Sequence, residues 1–278
     1  MAEDFNYGTL VLRNRGYVSS ETQDKIRRTR LLIAGCGIGS SLAVCATRMG
    51  FENFILVDGD VVDAHNLNRQ FYDFADVGRP KVQALEEKIL RINPQARVEA
   101  VYASLDAANT ERIVAKADIV FDTVDFLDLP AIVRLHSSAL QQGAHVFTAL
   151  SVGFGALVWY FPAGSSLSLG DILAADTPPA DPLSGAAPGY AEVFESFIRR
   201  LAPYLDAEVM EQIAHVLTLM KDGKPCPASQ VAVGSFAIGA MATSMMHDLL
   251  AGNPLPAAPK LIVHSFKSHQ SRIVDVTA

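Results

Sequence analysis

The sequence predicts an α/β protein, a mostly parallel sheet wound by helices, with an antiparallel C-terminal extension and a long crossover loop. Three observations predict it. Short β-rich runs alternate with helical stretches from Arg30 onward, a glycine-rich turn follows the first run, and the last two apolar runs flank a polar turn. Strands are expected over 31–34, 53–57, 98–102, 118–121 and 145–150, and helices between them over 41–49, 81–92, 110–116 and 131–142. The 81–92 helix stops at Asn93-Pro94, because a residue that precedes proline avoids the helical region. An apolar strand over 156–161 follows Gly155, and the Pro/Gly/Ala/Ser-rich stretch 162–189 reads as the crossover loop. Helical periodicity over 192–220 is broken by Pro203, an apolar helix spans 231–246, and 261–266 with 272–276 form a hairpin. Residues 1–29 are helical in tendency and carry a solvated basic cluster at Lys25, Arg27, Arg28 and Arg30.

Composition narrows the function classes. Half of the 278 residues are apolar and 19% are charged, which excludes a disordered chain. A net charge of −7 gives no basic field for a nucleic-acid backbone, so nucleic acid is not an expected partner. Cys36, Cys45 and Cys226 include no C-x-x-C, which argues against a disulfide framework and a four-thiolate zinc site and for a reducing compartment. The N-terminus is acidic without a continuous apolar stretch, and the 231–246 segment is too short and too rich in glycine and hydroxyl groups for a membrane span. A cytoplasmic protein with no membrane partner is therefore expected, and the 231–246 helix is expected in the core or at a dimer interface.

The chemistry begins at residues 31–40, where a strand, the turn Gly35-Cys36-Gly37-Ile38-Gly39 and a helix start follow one another. Backbone N–H groups and a helix dipole at such a Rossmann-like turn receive phosphate. The turn lacks the third glycine or alanine of the dinucleotide fingerprint. Asp58, 21 residues after Gly37, stands where an acidic side chain binds ribose hydroxyls. Together they predict nucleotide binding, and an NAD(P)-binding oxidoreductase would explain both features.

The run Asp58-Gly59-Asp60-Val61-Val62-Asp63-Ala64-His65-Asn66-Leu67-Asn68-Arg69-Gln70-Phe71, then Gly78-Arg79-Pro80-Lys81, then Asp122-Thr123-Val124-Asp125, resembles the ThiF, MoeB and ubiquitin-activating superfamily of ATP-dependent adenylyltransferases, in a branch without zinc. The resemblance is strong over residues 10–160 and continues weakly to about 250. It implies ATP and Mg²⁺ as cofactors. Gly35, Gly37, Gly39, Asp58 and Asp60 would then meet the nucleotide, Arg69 and Lys81 the phosphates, and Asp125 the Mg²⁺, beside Thr123 and Val124. Asn66, Asn68 and Gln70 are polar groups of the same loop. Asn66 matches the family position best, and each has turn capping as its alternative role.

The reaction implied is activation of a carboxylate as an acyl adenylate with release of pyrophosphate. The acceptor would be the C-terminal glycine of a ubiquitin-like or sulfur-carrier protein, or else a peptide or small acid. Arg13, in an Arg-Asn segment followed by Gln23-Asp24-Lys25, resembles an arginine that reaches the phosphates of the other subunit, which implies a homodimer. Cys226, in Gly223-Lys224-Pro225-Cys226-Pro227-Ala228-Ser229, resembles the nucleophile of enzymes that activate the ubiquitin-fold modifier. A thioester on Cys226 and a packing role for it are both open, whereas packing is expected for Cys36 and Cys45. Ile38, His65 and Phe126 depart from the family pattern, the last where an asparagine usually follows the metal-binding aspartate. The expected organisation is an N-terminal helical segment (1–29), a nucleotide-binding core (30–160), and a crossover loop, helical region and hairpin (161–278) packed on the same domain.

Overall fold

The computed structural model describes residues 4–125, 128–174, 190–221 and 229–276. Two N-terminal helices, α1 (Tyr7–Leu10) and α2 (Ser20–Arg28), lead into β1 (Arg30–Ala34), α3 (Gly39–Met49), β2 (Asn53–Val57), α4 (Lys81–Ile92) and β3 (Arg97–Val101). The chain continues through α5 (Thr110–Val114), β4 (Ile119–Asp122), α6 (Leu129–Gln141), β5 (His145–Val152) and β6 (Gly155–Phe161). Helices α7 (Leu169–Ala174), α8 (Tyr190–Leu201), α9 (Ala207–Lys221) and α10 (Ala232–Ala251) precede the hairpin of β7 (Lys260–Ser265) and β8 (Gln270–Asp275).

All eight strands form one sheet in the order β3-β2-β1-β4-β5-β6-β7-β8. The first five run parallel and the last three are antiparallel to their neighbours, as the alternating pattern and the terminal hairpin predict. The order reverses between β1 and β4, and Ala34 pairs with Val57 on one side and Asp122 on the other. The C-terminal ends of these strands therefore lie side by side at the switch point, where an open α/β sheet leaves a crevice.

Strand residues alternate between two cores. Leu31 and Ile33 face a cluster with Ile26, Leu42, Leu85, Ile238 and Met246, so α2, α3, α4 and α10 cover that side. Leu32 and Ala34 face Ile113, Ile132, Leu135, Ile172 and Phe197, contributed by α5, α6, α7 and α8. Covering both faces explains why these strands read as continuous apolar runs. Helix α10 lies in the first layer and buries a face of mostly small residues, among them Gly234, Ser235, Gly239 and Ala242. A Cβ on Gly239 would stand 2.8 Å from the Ser41 carbonyl oxygen, so the small residue sets the close approach of α10 to α3. Among the described residues no helix is long and apolar enough to cross a membrane.

Two local readings change. The 162–189 stretch contains α7, which buries Leu169, Ile172 and Leu173 and is opened by Ser168, whose backbone N–H and hydroxyl both donate to Asp171. The basic cluster is more than a solvated face: Arg27 pairs with Glu52 and lies over the Tyr7 ring, and Arg30 pairs with Asp118. Tyr7, Asn14 and Gln23 also donate to the carbonyls of Met49 and Gly50, which fixes the N-terminal segment to the end of α3.

Gly239→Ala is expected to destabilise the protein by about 1–3 kcal/mol through overpacking against backbone that cannot retreat. Urea unfolding checks this, and an unchanged midpoint would contradict the close packing of α10 on α3.

Candidate active site

The turn after β1 is closed against the turn after β4. Gly35 has φ +87°, and a Cβ there would lie 2.3 Å from the Thr123 carbonyl oxygen, so both its conformation and its surroundings demand glycine. Thr123 answers with a hydroxyl hydrogen bond of 2.7 Å to the Gly35 carbonyl. A Cβ on Gly39 would meet Ile33 at 2.7 Å and the Thr123 hydroxyl at 2.8 Å. Gly37 leaves space that a Cβ would fill to within 3.0 Å of the Gln70 side-chain amide. Helix α3 then starts, and Ser40 links it to the neighbouring loop by donating to the Gly37 carbonyl and accepting from the Phe71 N–H.

Asp58 reaches back into this turn. Its two carboxylate oxygens accept the Cys36 N–H at 2.7 Å and the Asp60 N–H at 2.8 Å. Burial raises its pKa, opposed by the nearby Lys81 charge and those two N–H groups. Each oxygen keeps a further lone pair for a ribose hydroxyl. The Cys36 thiol is fully buried, with its pKa pushed well up by burial and by Asp58, which makes it a packing group. Tyr72 closes the floor by donating to the Cys36 carbonyl at 2.7 Å.

Lys81 opens α4 and sends a buried side chain to an exposed Asp60 carboxylate, at 2.7 Å. In the loop between, Asn66 is the capping amide, accepting the Asp63 N–H at 3.0 Å from a buried position. Asn68 and Arg69 turn instead toward Gln230, just ahead of α10. The Arg69 Nε donates to the Gln230 Oε1 at 2.6 Å, and the Asn68 amide donates to the Gln230 carbonyl at 3.0 Å. Gln70 is buried against Gly37, and its Oε1 has no hydrogen-bond partner.

Asp125 is exposed at the end of the β4 turn, where its carbonyl accepts the Asp128 N–H. No group of three or more His, Cys, Asp or Glu side chains suited to a metal occurs among the described residues. One carboxylate beside a phosphate-binding turn fits Mg²⁺, which takes one or two carboxylates and completes its shell with substrate oxygens and water. The glycine-lined space and the orphaned Gln70 Oε1 likewise fit a nucleotide. Arg13 is exposed on a 3-10 turn near α2. Cys226 and Phe126 lie outside the described residues.

Sequence reasoning missed the group beneath the Asp125 turn. His136 of α6 is wholly buried, with its Nε2 3.1 Å from the Asp122 Oδ2 and 2.8 Å from the Thr148 hydroxyl. Its Nδ1 faces the Leu169 N–H at 3.4 Å, which can only donate, so the Nε2 carries the proton. The other Asp122 oxygen accepts the Val124 N–H at 3.1 Å and so shapes the turn toward Asp125. Asp122 was legible as part of D-x-x-D, but nothing in the spacing ties it to His136 or Thr148.

A glycine turn at the switch point, an acid after the next strand and cations behind it define an α/β protein with the layout of a nucleotide site. The chain belongs to the ThiF family, which it matches over residues 11–278. It is 35% identical over 105 residues to the molybdopterin-synthase adenylyltransferase of Escherichia coli K12, covering 37% of this chain and 42% of that one. It is 28% identical over 140 residues to the sulfur carrier protein ThiS adenylyltransferase of the same organism, covering 50% of this chain and 55% of that one. The matches thus span about half the length of these curated relatives. The fold superposes on a crystal structure of E. coli MccB with MccA-N7isoASN at TM-score 0.70 and 20% identity, over 99% of this chain and 72% of that one. A crystal structure of PaaA follows at TM-score 0.68 and 18% identity, over 97% and 79%.

His136→Ala is expected to cost about 2–4 kcal/mol, because it opens a cavity and leaves a buried carboxylate short of a donor. Chemical denaturation checks it, and wild-type stability in the variant would contradict the network.

Proposed function

We infer that the protein is an ATP- and Mg²⁺-dependent adenylyltransferase that activates the C-terminal carboxylate of a ubiquitin-like or sulfur-carrier protein. The observation that carries the reading is the glycine turn of β1 locked onto the Asp125 turn, with Asp58 held inside it. The family and the names of its adenylyltransferase relatives support the same reading.

In this reaction an acceptor carboxylate oxygen attacks the α-phosphorus of ATP. The bond from that phosphorus to the oxygen bridging toward the β-phosphate breaks, and pyrophosphate leaves with the electron pair. The nucleophile is already ionised at neutral pH, so the work lies in placing and neutralising charge rather than in moving a proton. Backbone N–H groups of the glycine turn receive the phosphates, Asp58 holds the ribose, and Arg69 supplies a cation. Lys81 exchanges the exposed Asp60 for phosphate. Asp125 would hold Mg²⁺, whose charge would offset the negative charge of the departing pyrophosphate.

Arg13 is read as reaching across a homodimer to the partner's phosphates. Exposed Leu12 and Tyr17 beside it support an apolar surface that a second copy would cover. Cys226 is read as the later acceptor: its thiolate attacks the acyl carbon, the bond from that carbon to the adenylate oxygen breaks, AMP leaves with the electron pair and a thioester remains. A peptide acceptor is the second reading, favoured by Phe126 in place of the usual asparagine and by the absence of C-x-x-C pairs from the sequence.

ATP–pyrophosphate exchange with carrier proteins or peptides as acceptors tests the proposal. Asp125→Ala is expected to lower exchange by about 100-fold or more, while Cys226→Ala leaves exchange intact and removes only a thiol-labile adduct. Full exchange in Asp125→Ala, or equal loss in both variants, would contradict the two-step assignment.

A further inference from the structure

We propose that Gln230 is a positioning residue that holds the Arg69 guanidinium ready for a phosphate without neutralising it. The inference rests on reading Arg69 as a phosphate ligand and adds a residue 161 positions away in the chain.

Among the described residues every group that accepts a hydrogen bond from Arg69 is neutral. Its Nε donates to the Gln230 Oε1 at 2.6 Å, and its Nη1 donates to the His65 carbonyl at 2.9 Å and the Asn68 Oδ1 at 2.8 Å. Asn68 is itself fastened to the Gln230 backbone carbonyl at 3.0 Å, so one residue orients both members of the Asn-Arg pair. Phe71 packs on Phe236 of α10 with ring centroids 4.6 Å apart, which fixes the same loop to the same segment a few residues away.

The neighbouring cations are arranged differently. Lys81 pairs with Asp60, Arg79 with Asp76 and Glu87, and Lys88 with Asp73 and Asp76. Among the described residues no carboxylate lies within ion-pair distance of Arg69. Arg69 is half-buried, and burial works against its charge, lowering its pKa while leaving it protonated. A desolvated cation given only neutral acceptors has its geometry set and its charge uncompensated. An anion arriving there recovers the electrostatic energy that a carboxylate partner would already have taken.

The choice of amide over acid at position 230 is therefore the informative feature. Glutamate has the same shape and would make a stronger bond to Arg69 Nε, but it would fill the anion site electrostatically. A merely structural contact would tolerate or favour that change, whereas a contact that must preserve charge would not.

The test uses the full chain and two readouts, Mg-ATP affinity by calorimetry and thermal stability without nucleotide, for wild type, Arg69→Gln, Gln230→Glu and Gln230→Met. Arg69→Gln sets the scale, with an expected loss of about tenfold or more in affinity. Gln230→Glu is expected to lose about as much while its melting temperature stays level or rises. If Gln230→Glu fails to fold, Gln230→Met, which fills the space without accepting the Nε–H, is expected to lose affinity about threefold. Weakened binding in Arg69→Gln with wild-type affinity in both Gln230 variants would overturn the inference and leave the reading of Arg69 standing. Wild-type affinity in Arg69→Gln would overturn that reading and the inference with it.

Discussion

The contact between Gly35 and Thr123 is the constraint on which the rest of the site depends. Two turns from strands that are neighbours in the sheet but far apart in sequence share one small volume, with room for a carbonyl and no room for a Cβ. The parallel pairing of β1 and β4 brings the turns together, and the Thr123 hydroxyl ties them. Once they are joined, the N–H groups of the Gly35–Gly39 turn and the Asp125 carboxylate stand on a common frame. Support comes from below, where the His136–Asp122–Thr148 group fixes the strand end from which the second turn departs.

Charge around that frame is graded by how it is paired. Asp58 is half-buried and held by two backbone N–H groups, so it is a rigid acceptor. Lys81 keeps its head on an exposed carboxylate that solvent can take over if the pair opens. Arg69 is held by neutral groups and keeps its charge unspent. These three states suit a ligand that carries ribose hydroxyls at one end and several phosphate charges at the other. They also bring the segment ahead of α10 to the same place, since that segment supplies the acceptor for the Arg69 Nε.

Much of the architecture was legible in the sequence because it is written in local periodicity. Strands buried on both faces read as apolar runs, the amphipathic α4 begins and ends where its pattern does, and the Gly35–Gly39 turn sits between strand and helix as a phosphate turn should. Helix α7 was hidden by the proline- and alanine-rich composition around it. Its signals were Leu169, Ile172 and Leu173 at helical spacing and a Ser-x-x-Asp capping pattern from Ser168. The loop amides divided by context: Asn66 caps its own turn, while Asn68 and Arg69 reach a partner that no local pattern reveals. His136, Thr148 and Gln230 were illegible for the same reason, as each acts through a contact made only by the tertiary fold.

A crystal structure with a non-hydrolysable ATP analogue and Mg²⁺ tests the central claim most directly. The account predicts phosphates seated on the Gly35–Gly39 turn, ribose on Asp58, Lys81 moved from Asp60 to a phosphate oxygen, and Arg69 in contact with phosphate while still bonded to Gln230. A nucleotide bound elsewhere, or one seated on the turn with Arg69 and Lys81 keeping only their present partners, would contradict it.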